Sequence, residues 1–349
     1  MQEIIRCGDI KDDLSRLLNN LQYSGLFILT DSNTATLCLP RLESIPEIMD
    51  AKRFVIPAGD GHKNLQTLSQ IWEFLSQSGA TRKSLLINLG GGMLTDLGGF
   101  AAATFKRGIR FINIPTTLLG AVDAAVGGKT GINFGGLKNE IGAFCPAVAV
   151  LIDTRFFRTL DSENLLSGYA EMLKHALLSG SEALDGALSF DFDGINCDRL
   201  TSLLFDSVAV KENIVRQDPS EQGLRKALNL GHTFGHAFES LSHEQHQPVL
   251  HGYAVVYGMV CELYLSHIKL GLDRAVFLRV TRYIKENYGT FSIECNRYER
   301  LFELMQRDKK NETNTINFTL LRTPGNALIN QTATKGEIEE ALDYFREIN

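Results

Sequence analysis

The sequence lacks three features that mark specialised classes of protein. None of its six cysteines stands in a C-x-x-C pair, which disfavours a disulfide framework and a thiolate zinc site. No apolar run approaches the ~20 residues that a membrane-spanning helix needs. The first residues, MQEIIRCGDIKDDLSRLL, mix acids and bases where a secretion signal would have an apolar core. These absences predict a soluble, cytoplasmic protein with reduced thiols and no membrane partner.

Excess positive charge is also missing. The formal net charge is -6, which argues against nucleic acid as a partner because such proteins favour broad basic faces. An anionic small-molecule substrate would therefore require cations that are gathered locally in a cleft. The length of 349 residues with 44% hydrophobic residues is enough for two ordinary domains.

The first half of the chain alternates between strand and helix patterns. Short runs rich in Val, Ile and Leu predict strands at 26–30, 53–57, 84–90, 110–115 and 148–153. Between them, the segment 64–79 repeats apolar residues at the spacing of an amphipathic helix. Near-continuous apolar strands that alternate with such helices indicate a parallel sheet covered on both faces.

The second half is dominated by helical patterns. They predict helices at 164–179, 199–217, 224–241, 252–270, 273–288 and 335–347, and a late hairpin at 315–321 and 326–330. We therefore predict an α/β domain over residues 1–155 and a helical domain over residues 156–349. An active site is expected in the cleft between the two domains.

Two glycine-rich segments are candidates for ligand binding. In LLINLGGGMLTDLGG, a predicted strand leads through Gly90, Gly91 and Gly92 into a helix, where free backbone N–H groups suit a phosphate. The usual G-x-G-x-x-G fingerprint is absent, and a tight turn without a ligand is the alternative. The second segment, 114–144, contains Lys129 and Lys138 among six glycines between positions 127 and 142. We expect loops there that fold around a phosphate or a carboxylate.

Five of the eight histidines lie between His232 and His251. Glu171 lies in a mostly apolar helical pattern, where a carboxylate is costly unless it is paired or binds a metal. Glutamate with two histidines is an accepted ligand set for catalytic zinc. The candidate set is Glu171 with two of His232, His236 and His251, while unmetallated helical histidines are the alternative. The absence of H-E-x-x-H disfavours a zincin protease.

The remaining histidines and cations divide into predicted surface groups and site candidates. His243 and His246 lie in the polar stretch SHEQHQP, where we expect them to be solvated. Taken singly, Lys211, Arg225 and the 309/310 lysines are each better explained as surface cations. Their coincidence with a metal candidate and glycine loops favours a site that binds an anion.

Five segments together resemble the 3-dehydroquinate synthase family, within the sugar-phosphate cyclase superfamily. They are GGGMLTDLGGFAAATFKRGIRF, PTTLLGAVDAAVGGKTGIN, GYAEMLKHALL, LNLGHTFGHAFE and HGYAVVYGM. The match extends in the family's order from TDSN (30–33) and PAGDGHK (57–63) to DKKN (308–311). The resemblance implies a Rossmann-like α/β N-terminal domain, an all-α C-terminal metal-binding domain and a homodimer.

The resemblance also implies an activity and its cofactors. The enzyme would be a phosphate-eliminating lyase that converts 3-deoxy-D-arabino-heptulosonate 7-phosphate into 3-dehydroquinate, with catalytic NAD and Zn²⁺ or Co²⁺. The implied metal ligands are Glu171, His232 and His251, so that His236 becomes a substrate-side group. The implied NAD contacts are Asp31, Asn33, Asp60, Lys63, Gly91, Gly92, Asp96, Thr116, Thr117, Lys129, Lys138, Thr159 and Leu160.

Substrate contacts follow from the same resemblance. They are Asp123, Lys129, Asn139, Lys174, Lys211, Arg225, Asn229, His236 and one lysine of the pair Lys309 and Lys310. Arg107 would reach the phosphate of the substrate in the neighbouring subunit. The chain departs from the family pattern at Asp60 and Asn164, where glutamate is usual in both cases.

Three alternatives to this activity stay open at the level of sequence. A cyclase for a neutral sugar phosphate is one, although Arg225 with Lys211 would then leave a carboxylate receptor unused. An NAD- and metal-dependent alcohol dehydrogenase of the glycerol-dehydrogenase type is another. The third is a catalytically inactive binding protein, which the presence of all three metal candidates disfavours.

Overall fold

The computed structural model describes residues 2–135, 137–192, 196–306 and 315–348. The chain divides into two compact units, Met1–Asp161 and Ser162–Asn349. Lys309 and Lys310, one of which is predicted to contact the substrate, lie outside the described residues. Within the described ranges, no helix is long and apolar enough to cross a membrane.

The first unit is built on a parallel sheet of six strands among the described residues. In chain order they are β1 (Glu3–Arg6), β2 (Leu26–Asp31), β3 (Lys52–Ile56), β4 (Leu85–Gly90), β5 (Arg110–Pro115) and β8 (Ala149–Ile152). The sheet order is β1-β8-β5-β4-β2-β3, and each neighbouring pair is parallel. From β2 the chain moves outward to β3, whereas from β4 it moves the other way to β5. This change of direction between β2 and β4 is the kind of crevice at which α/β sheets bind ligands.

Helices and a hairpin complete the first unit. The helices are α1 (Ile10–Asn20), α2 (Ser32–Leu37), α3 (Pro46–Met49), α4 (Leu65–Gln77) and α5 (Gly92–Thr104). An antiparallel hairpin pairs β6 (Lys129–Phe134) with β7 (Leu137–Phe144). Short helical turns lie at Leu39–Arg41, Asp60–His62, Phe105–Arg107, Gly120–Ala124 and Thr154–Thr159.

The helix α4 illustrates why the first unit folds this way. Asn64 caps its N-terminus by accepting from the backbone N–H of Thr67 at 2.9 Å. Its buried stripe of Leu68, Ile71 and Leu75 belongs to the same core as strand residues of the sheet. By contrast, α5 is buried on nearly all sides, because it packs against β4, β5 and β6.

The second unit is mostly helical, as predicted. Its helices are α6 (Ser162–Ser179), α7 (Ser181–Leu188), α8 (Cys197–Gln217), α9 (His232–Glu244), α10 (His251–Leu270), α11 (Arg274–Tyr288), α12 (Tyr298–Gln306) and α13 (Lys335–Ile348). The predicted late hairpin is confirmed as β9 (Phe318–Thr323) and β10 (Asn326–Gln331). The helix α10 is apolar on most sides because α6, α9, α11, α13 and β9 all pack against it.

The predicted helix over residues 224–241 is correct from His232 onward and wrong before it. Residues Leu224–Asn229 form a 3-10 turn, and α9 begins only at His232. Gly231 separates them with a left-handed φ of 81°, a conformation that glycine adopts without strain. A Cβ on Gly231 would also lie 2.5 Å from Cγ of Met259. The break makes His232 the first residue of a helix.

The expectation of ligand-folded loops over 114–144 is corrected in part. Most of residues 129–144 form the hairpin β6–β7. Gly131 and Gly142 face each other in its register, and a Cβ on Gly131 would lie 2.7 Å from the carbonyl oxygen of Ile141. These glycines therefore permit close strand pairing.

Candidate active site

Three side chains of the second unit converge at metal-ligand spacing. Glu171 lies on α6, His232 begins α9 and His251 begins α10. The Nε2 atoms of His232 and His251 lie 3.6 Å and 3.7 Å from Oε1 of Glu171, and the three candidate ligand atoms all fall within 4.8 Å of one another. Tetrahedral zinc with bonds of about 2.1 Å separates its ligands by about 3.4 Å. The spacing fits a divalent cation.

Hydrogen bonds on the far side of each imidazole fix its tautomer. Nδ1 of His232 lies 3.1 Å from the carbonyl oxygen of Leu230, and Nδ1 of His251 lies 3.3 Å from Oε2 of Glu239. A carbonyl or carboxylate oxygen can only accept, so each Nδ1 carries the proton and donates. Both Nε2 lone pairs are therefore available on the side of Glu171, as metal binding requires.

The surroundings of the Glu171 carboxylate also fit a bound metal ion. Its carboxylate is fully buried, and neither oxygen accepts a hydrogen bond from the described residues. The ammonium of Lys174, one turn along α6 and equally buried, forms an ion pair with Oε2. A buried carboxylate with so few acceptor contacts is costly, and a cation bound between it and the two imidazoles would offset that cost.

Glycines bring the three helices close enough for this convergence. A Cβ on Gly258 of α10 would lie 2.5 Å from the backbone N of Gly235 on α9, and one on Gly235 would lie 2.9 Å from the carbonyl oxygen of Ala254. A Cβ on Gly252 would lie 2.6 Å from Cα of Ser167 on α6. Only glycine permits these backbone contacts, so the geometry of the ligand set is determined by main-chain packing.

His236 is close to the ligand set but does not belong to it. Among the described residues, Glu171, His232 and His251 form a group at metal-ligand distance, and His236 is not part of it. Its ring centroid lies 5.3 Å from that of His232 and 6.0 Å from that of His251, and its side chain is partly exposed. His243 and His246 are exposed, as expected of solvated residues.

Two buried acids escaped the sequence analysis. Glu239 contacts His251, and Glu262 of α10 accepts from the backbone N–H of Gly231 at 2.7 Å and of Thr233 at 3.0 Å. A signal for both existed, since each is an acid within an apolar helical pattern. Their partners lie on another helix and could not be read from the spacing.

The predicted carboxylate-binding cations of the second unit are buried. Lys211 lies on α8, and Arg225 lies in the 3-10 turn that packs against α8 and α6. Arg225 is only 1% exposed, and its Nη1 donates to the carbonyl oxygen of Pro219 at 2.9 Å. A buried guanidinium is rare unless it is held for a purpose. Asn229 is half-buried, and its Nδ2 lies 3.5 Å from Oε1 of Glu221.

Asp218 organises the loop that carries Arg225. Its carboxylate accepts from the backbone N–H groups of Gln222, Gly223 and Arg225 at 2.7–3.0 Å. Partial burial alone would raise the pKa of Asp218, but the backbone N–H groups of Gly223, Gln222 and Arg225 together lower it below its usual range. Asp218 is therefore a structural anion that fixes the start of the turn.

In the first unit, the predicted cofactor residues follow the carboxyl ends of neighbouring strands. Asp31 ends β2, Gly91 follows β4 and Thr116 follows β5. A Cβ on Gly91 would lie 3.0 Å from Cγ2 of Thr117, and one on Gly92 would lie 2.9 Å from Cβ of Ala124. The glycine turn is thus packed closely against the next loop, with the N-terminus of α5 at the sheet edge where nucleotides bind.

A charged network joins several of the predicted cofactor residues. The buried Lys63 ammonium lies 2.5 Å from Oδ2 of Asp96 and also donates to Oδ1 of Asn139. Asn139 has a left-handed φ of 52° and is held by Oδ1 of Asn133. This network connects α5 to the hairpin β6–β7.

Exposed groups extend the network at the surface. Lys138 lies 3.5 Å from Oδ2 of Asp60, and both side chains are about half exposed. Asn133 donates to the same Asp60 oxygen at 3.2 Å.

The remaining predicted residues of this unit have varied surroundings. Asp31 caps α2 by accepting from the N–H groups of Asn33 and Thr34, each at 2.9 Å. Thr117 accepts from the N–H of Gly120 at 3.0 Å. Thr159 donates to the carbonyl oxygen of Phe156 at 2.8 Å. Of the others, Leu160 and Asp123 are half-buried, and Lys129 and Arg107 are exposed.

Two family models match consecutive parts of the chain. The model of the 3-dehydroquinate synthase N-terminal domain matches residues 53–167. The model of the 3-dehydroquinate synthase C-terminal domain matches residues 168–311. Together they cover most of the chain and include every residue of the candidate ligand set.

Individual proteins give the same picture at the level of sequence and fold. A 3-dehydroquinate synthase of Parabacteroides distasonis is 56% identical over 346 residues, which is 99% of this chain and 98% of that protein. The structure of a 2-epi-5-epi-valiolone synthase of Streptomyces hygroscopicus subsp. jinggangensis, with NAD⁺ and Zn²⁺ bound, matches with a TM-score of 0.85 and 25% identity over 100% of this chain and 98% of that one. A 2-deoxy-scyllo-inosose synthase in complex with carbaglucose-6-phosphate, NAD⁺ and Co²⁺ matches in fold with a TM-score of 0.84 and 19% identity over 99% of this chain and 96% of that one.

Proposed function

The chain belongs to the 3-dehydroquinate synthase family, and we propose that Glu171, His232 and His251 hold the divalent cation with which it converts 3-deoxy-D-arabino-heptulosonate 7-phosphate into 3-dehydroquinate and phosphate. The reaction makes it a carbon–oxygen lyase of aromatic amino acid biosynthesis. The observation that carries the proposal is the convergence of one buried carboxylate and two imidazoles whose Nε2 atoms face it. Such a set leaves a coordination position for substrate.

The metal and the nicotinamide have separate tasks. Zn²⁺ or Co²⁺ held by Glu171, His232 and His251 would supply Lewis acidity to substrate hydroxyls. Bound NAD⁺ would supply reversible hydride exchange at the C5 carbinol, so that the reaction has no net redox change. The residues that support NAD binding are the strand-end groups, the glycine turn after β4 and the network of Lys63, Asp96 and Asn139.

The cations of the chain match the two anionic ends of the substrate. Arg225 has the planar fork that binds a carboxylate with two hydrogen bonds, and Lys211 and Asn229 would assist it. Burial of Arg225 supports this role. Asp218 holds the backbone of the turn that carries Arg225, so the guanidinium is presented to a carboxylate in a fixed orientation. A substrate that has no carboxylate would leave that receptor unused.

The phosphate end needs charge neutralisation rather than a nucleophile. A ketone at C5 acidifies the neighbouring C6 hydrogen, so that the C–O bond to phosphate can break by β-elimination. Lys129, Lys174 and Arg107 of the neighbouring subunit would stabilise the departing dianion, which can itself take the C6 proton. His236, beside the ligand set and partly exposed, is available for the substrate hydroxyls. Reduction, ring opening and an intramolecular aldol closure complete the carbocycle.

We also infer a cytoplasmic homodimer that binds neither nucleic acid nor membranes. Its six cysteines are free thiols, which suits a reducing compartment. Several exposed apolar side chains on the hairpin β6–β7, including Phe134 and Phe144, are candidates for burial between subunits. Light scattering coupled to gel filtration tests this inference, and a stable monomer at working concentration would contradict it.

Phosphate release tests the function directly. Incubation with the seven-carbon substrate and NAD⁺ should release phosphate, a chelator should stop release, and absorbance of NADH at 340 nm should not accumulate. Net accumulation of NADH would point to an alcohol dehydrogenase instead. Equal or faster release from a heptulose phosphate that lacks the carboxylate would point to a cyclase for neutral sugar phosphates.

A further inference from the structure

We propose that two buried glutamates, Glu239 and Glu262, are positioning residues that brace the metal histidines in a crossed arrangement. Glu239 lies on α9 and contacts His251 of α10, whereas Glu262 lies on α10 and holds the backbone on both sides of His232 at the start of α9. Each helix thus supplies the acid that fixes the histidine of the other. The inference rests on the proposed metal site and adds the residues that give it its shape.

The contact of Glu239 determines how the His251 ring is turned. His251 is the first residue of α10, and the preceding Leu250 offers no side-chain cap. The ring is also 27% exposed, so packing alone does not hold it. Its Nδ1 donates to Oε2 of Glu239 at 3.3 Å, with a second atom, Nε2, directed to Glu171 at 3.7 Å. A carboxylate behind a ligating imidazole fixes the ring orientation and increases the basicity of the other nitrogen.

Glu262 acts on His232 through the main chain. The N-cap position of α9 is Gly231, which has no side chain to accept from the first N–H groups of the helix. Glu262 supplies that acceptor from α10, with Oε2 at 2.7 Å from the N–H of Gly231 and Oε1 at 3.0 Å from the N–H of Thr233. These two N–H groups flank His232 in the chain. Their capture fixes the position from which the His232 side chain extends.

Because both acids are buried, a contribution to the stability of the fold alone does not explain them. Glu262 is fully buried and Glu239 is 4% exposed, and an ionised carboxylate in such a place is costly unless its hydrogen bonds offset the desolvation. An apolar side chain would serve better for packing the close backbones of α9 and α10. The hydrogen-bond partners of the two acids, a ligand histidine and the residues that flank another, indicate that the gain is geometric.

The crossed arrangement has a structural consequence. If each acid braced a histidine of its own helix, α9 and α10 could slide or rotate without any change in these contacts. Because each acid reaches the other helix, a shift of one helix against the other breaks both contacts together. The two histidines are therefore held at one separation, with their ring centroids 5.5 Å apart.

The test combines metal affinity with a signal specific to each histidine. Zinc dissociation constants are measured by chelator competition for the wild-type protein, Glu239→Gln and Glu262→Gln, in which the side chains keep their size. We expect each variant to bind zinc about 10–100-fold more weakly. The protein is also labelled with ¹⁵N-histidine, and the ring-nitrogen signals are assigned with His232→Gln and His251→Gln. Glu239→Gln should shift the signals of His251 and leave those of His232 in place, and Glu262→Gln should do the reverse.

Two further variants separate positioning from charge and from folding. Glu239→Asp keeps the charge but shortens the side chain, so a positioning role predicts a loss of affinity close to that of Glu239→Gln. Retained affinity in Glu239→Asp would overturn the proposal in favour of a charge effect. Glu244→Gln, an exposed position of α9 that pairs with Arg300, is the matched control and should bind zinc as the wild type does. Thermal unfolding of every variant in the presence of a chelator reports any change in stability without metal.

The outcomes distinguish this inference from the proposed function. If the wild type binds no zinc, or His232→Gln still binds it as tightly, the metal site itself is wrong. If the histidine variants lose zinc while both glutamine variants keep the wild-type affinity, only the crossed brace is wrong. Histidine signals that shift equally in both glutamate variants would also contradict the crossed assignment.

Discussion

The two units of the molecule differ in how much of each candidate site is exposed. In the second unit, the Glu171 carboxylate is fully buried, and the helices that carry the ligands approach through backbone contacts between glycines. In the first unit, the groups proposed for NAD combine buried side chains such as Lys63 and Thr116 with an exposed rim, where Asp60 and Lys138 are 51% and 43% exposed. A site fixed by main-chain packing tolerates little change, whereas a rim of exposed side chains can adapt. A substitution of the same size should therefore reduce stability or ligand affinity more in the second unit than in the first.

The largest expected effect is the loss of a ligand. His232→Ala removes one of two imidazoles from a site without a substitute donor at the same place. We expect zinc affinity to fall by more than the 10–100-fold of an outer-shell change, with turnover lost in parallel. Metal content after gel filtration and phosphate release measure the two effects.

An exposed histidine provides the control for this variant. His243→Ala, at a solvated position of α9, should retain both metal and activity. Full activity in His232→Ala would remove that residue from the ligand set.

The next effect tests main-chain packing rather than chemistry. Gly258→Ala forces a methyl group to within 2.5 Å of the backbone of α9, so the helices must separate. Overpacking of this kind costs about 1–3 kcal/mol, and we expect the upper end because backbone atoms cannot rotate away. Urea unfolding of the chelated protein measures the loss.

Gly336→Ala is the matched control, because an added Cβ there meets no atom within 4 Å. It lies in the helix α13, where alanine is favoured over glycine, so its stability should be unchanged or slightly higher. Equal losses of unfolding free energy in the two variants would mean that the close packing of α9 and α10 does not determine the stability of the second unit.

A smaller effect, on NAD⁺ affinity, is expected in the first unit. Lys63→Met removes the ammonium that joins Asp96 and Asn139. A hydrogen bond to a charged group is worth about 1.5–3 kcal/mol, so NAD⁺ affinity should fall about 10–100-fold while zinc affinity stays the same. Calorimetric titration with NAD⁺ measures the change, and a loss of zinc instead of NAD⁺ would reverse the assignment of the two units.

The smallest effect on NAD⁺ affinity is expected at Asp60, where the chain departs from the family pattern. Asp60→Glu restores the usual residue at an exposed position whose ion pair with Lys138 spans 3.5 Å. Exposed pairs contribute about 0–1 kcal/mol, so NAD⁺ affinity should change by less than about fivefold. A change as large as that of Lys63→Met would show that the exposed rim is as rigid as the metal site.

Much of the fold was predictable from residue patterns. The apolar runs gave the parallel strands, because a strand buried on both faces must be almost entirely Val, Ile and Leu, as in LLINLG of β4. The spacing of Leu68, Ile71 and Leu75 gave α4 for the same local reason. The ligand set came from the family resemblance, since the residue pattern alone left His232, His236 and His251 as equal candidates.

Other features depend on contacts that no local pattern contains. The helical spacing over 224–241 continues through Gly231, and the close approach of Met259 from α10 explains why no side chain fits at that break. The acids Glu239 and Glu262 stand in apolar helical patterns, but their partners are known only when the opposite helix is in place. Glycines 131 and 142 suggest loops in sequence but serve to pair two strands. In each case the deciding partner is distant along the chain.

An X-ray anomalous difference map at the zinc edge, from crystals of the zinc-loaded protein, locates the cation and its ligands. We expect one strong peak at about 2.0–2.2 Å from a carboxylate oxygen of Glu171 and from the Nε2 atoms of His232 and His251. A peak that is bound by His236 in place of either histidine, or that lies outside the second unit, would contradict this ligand set.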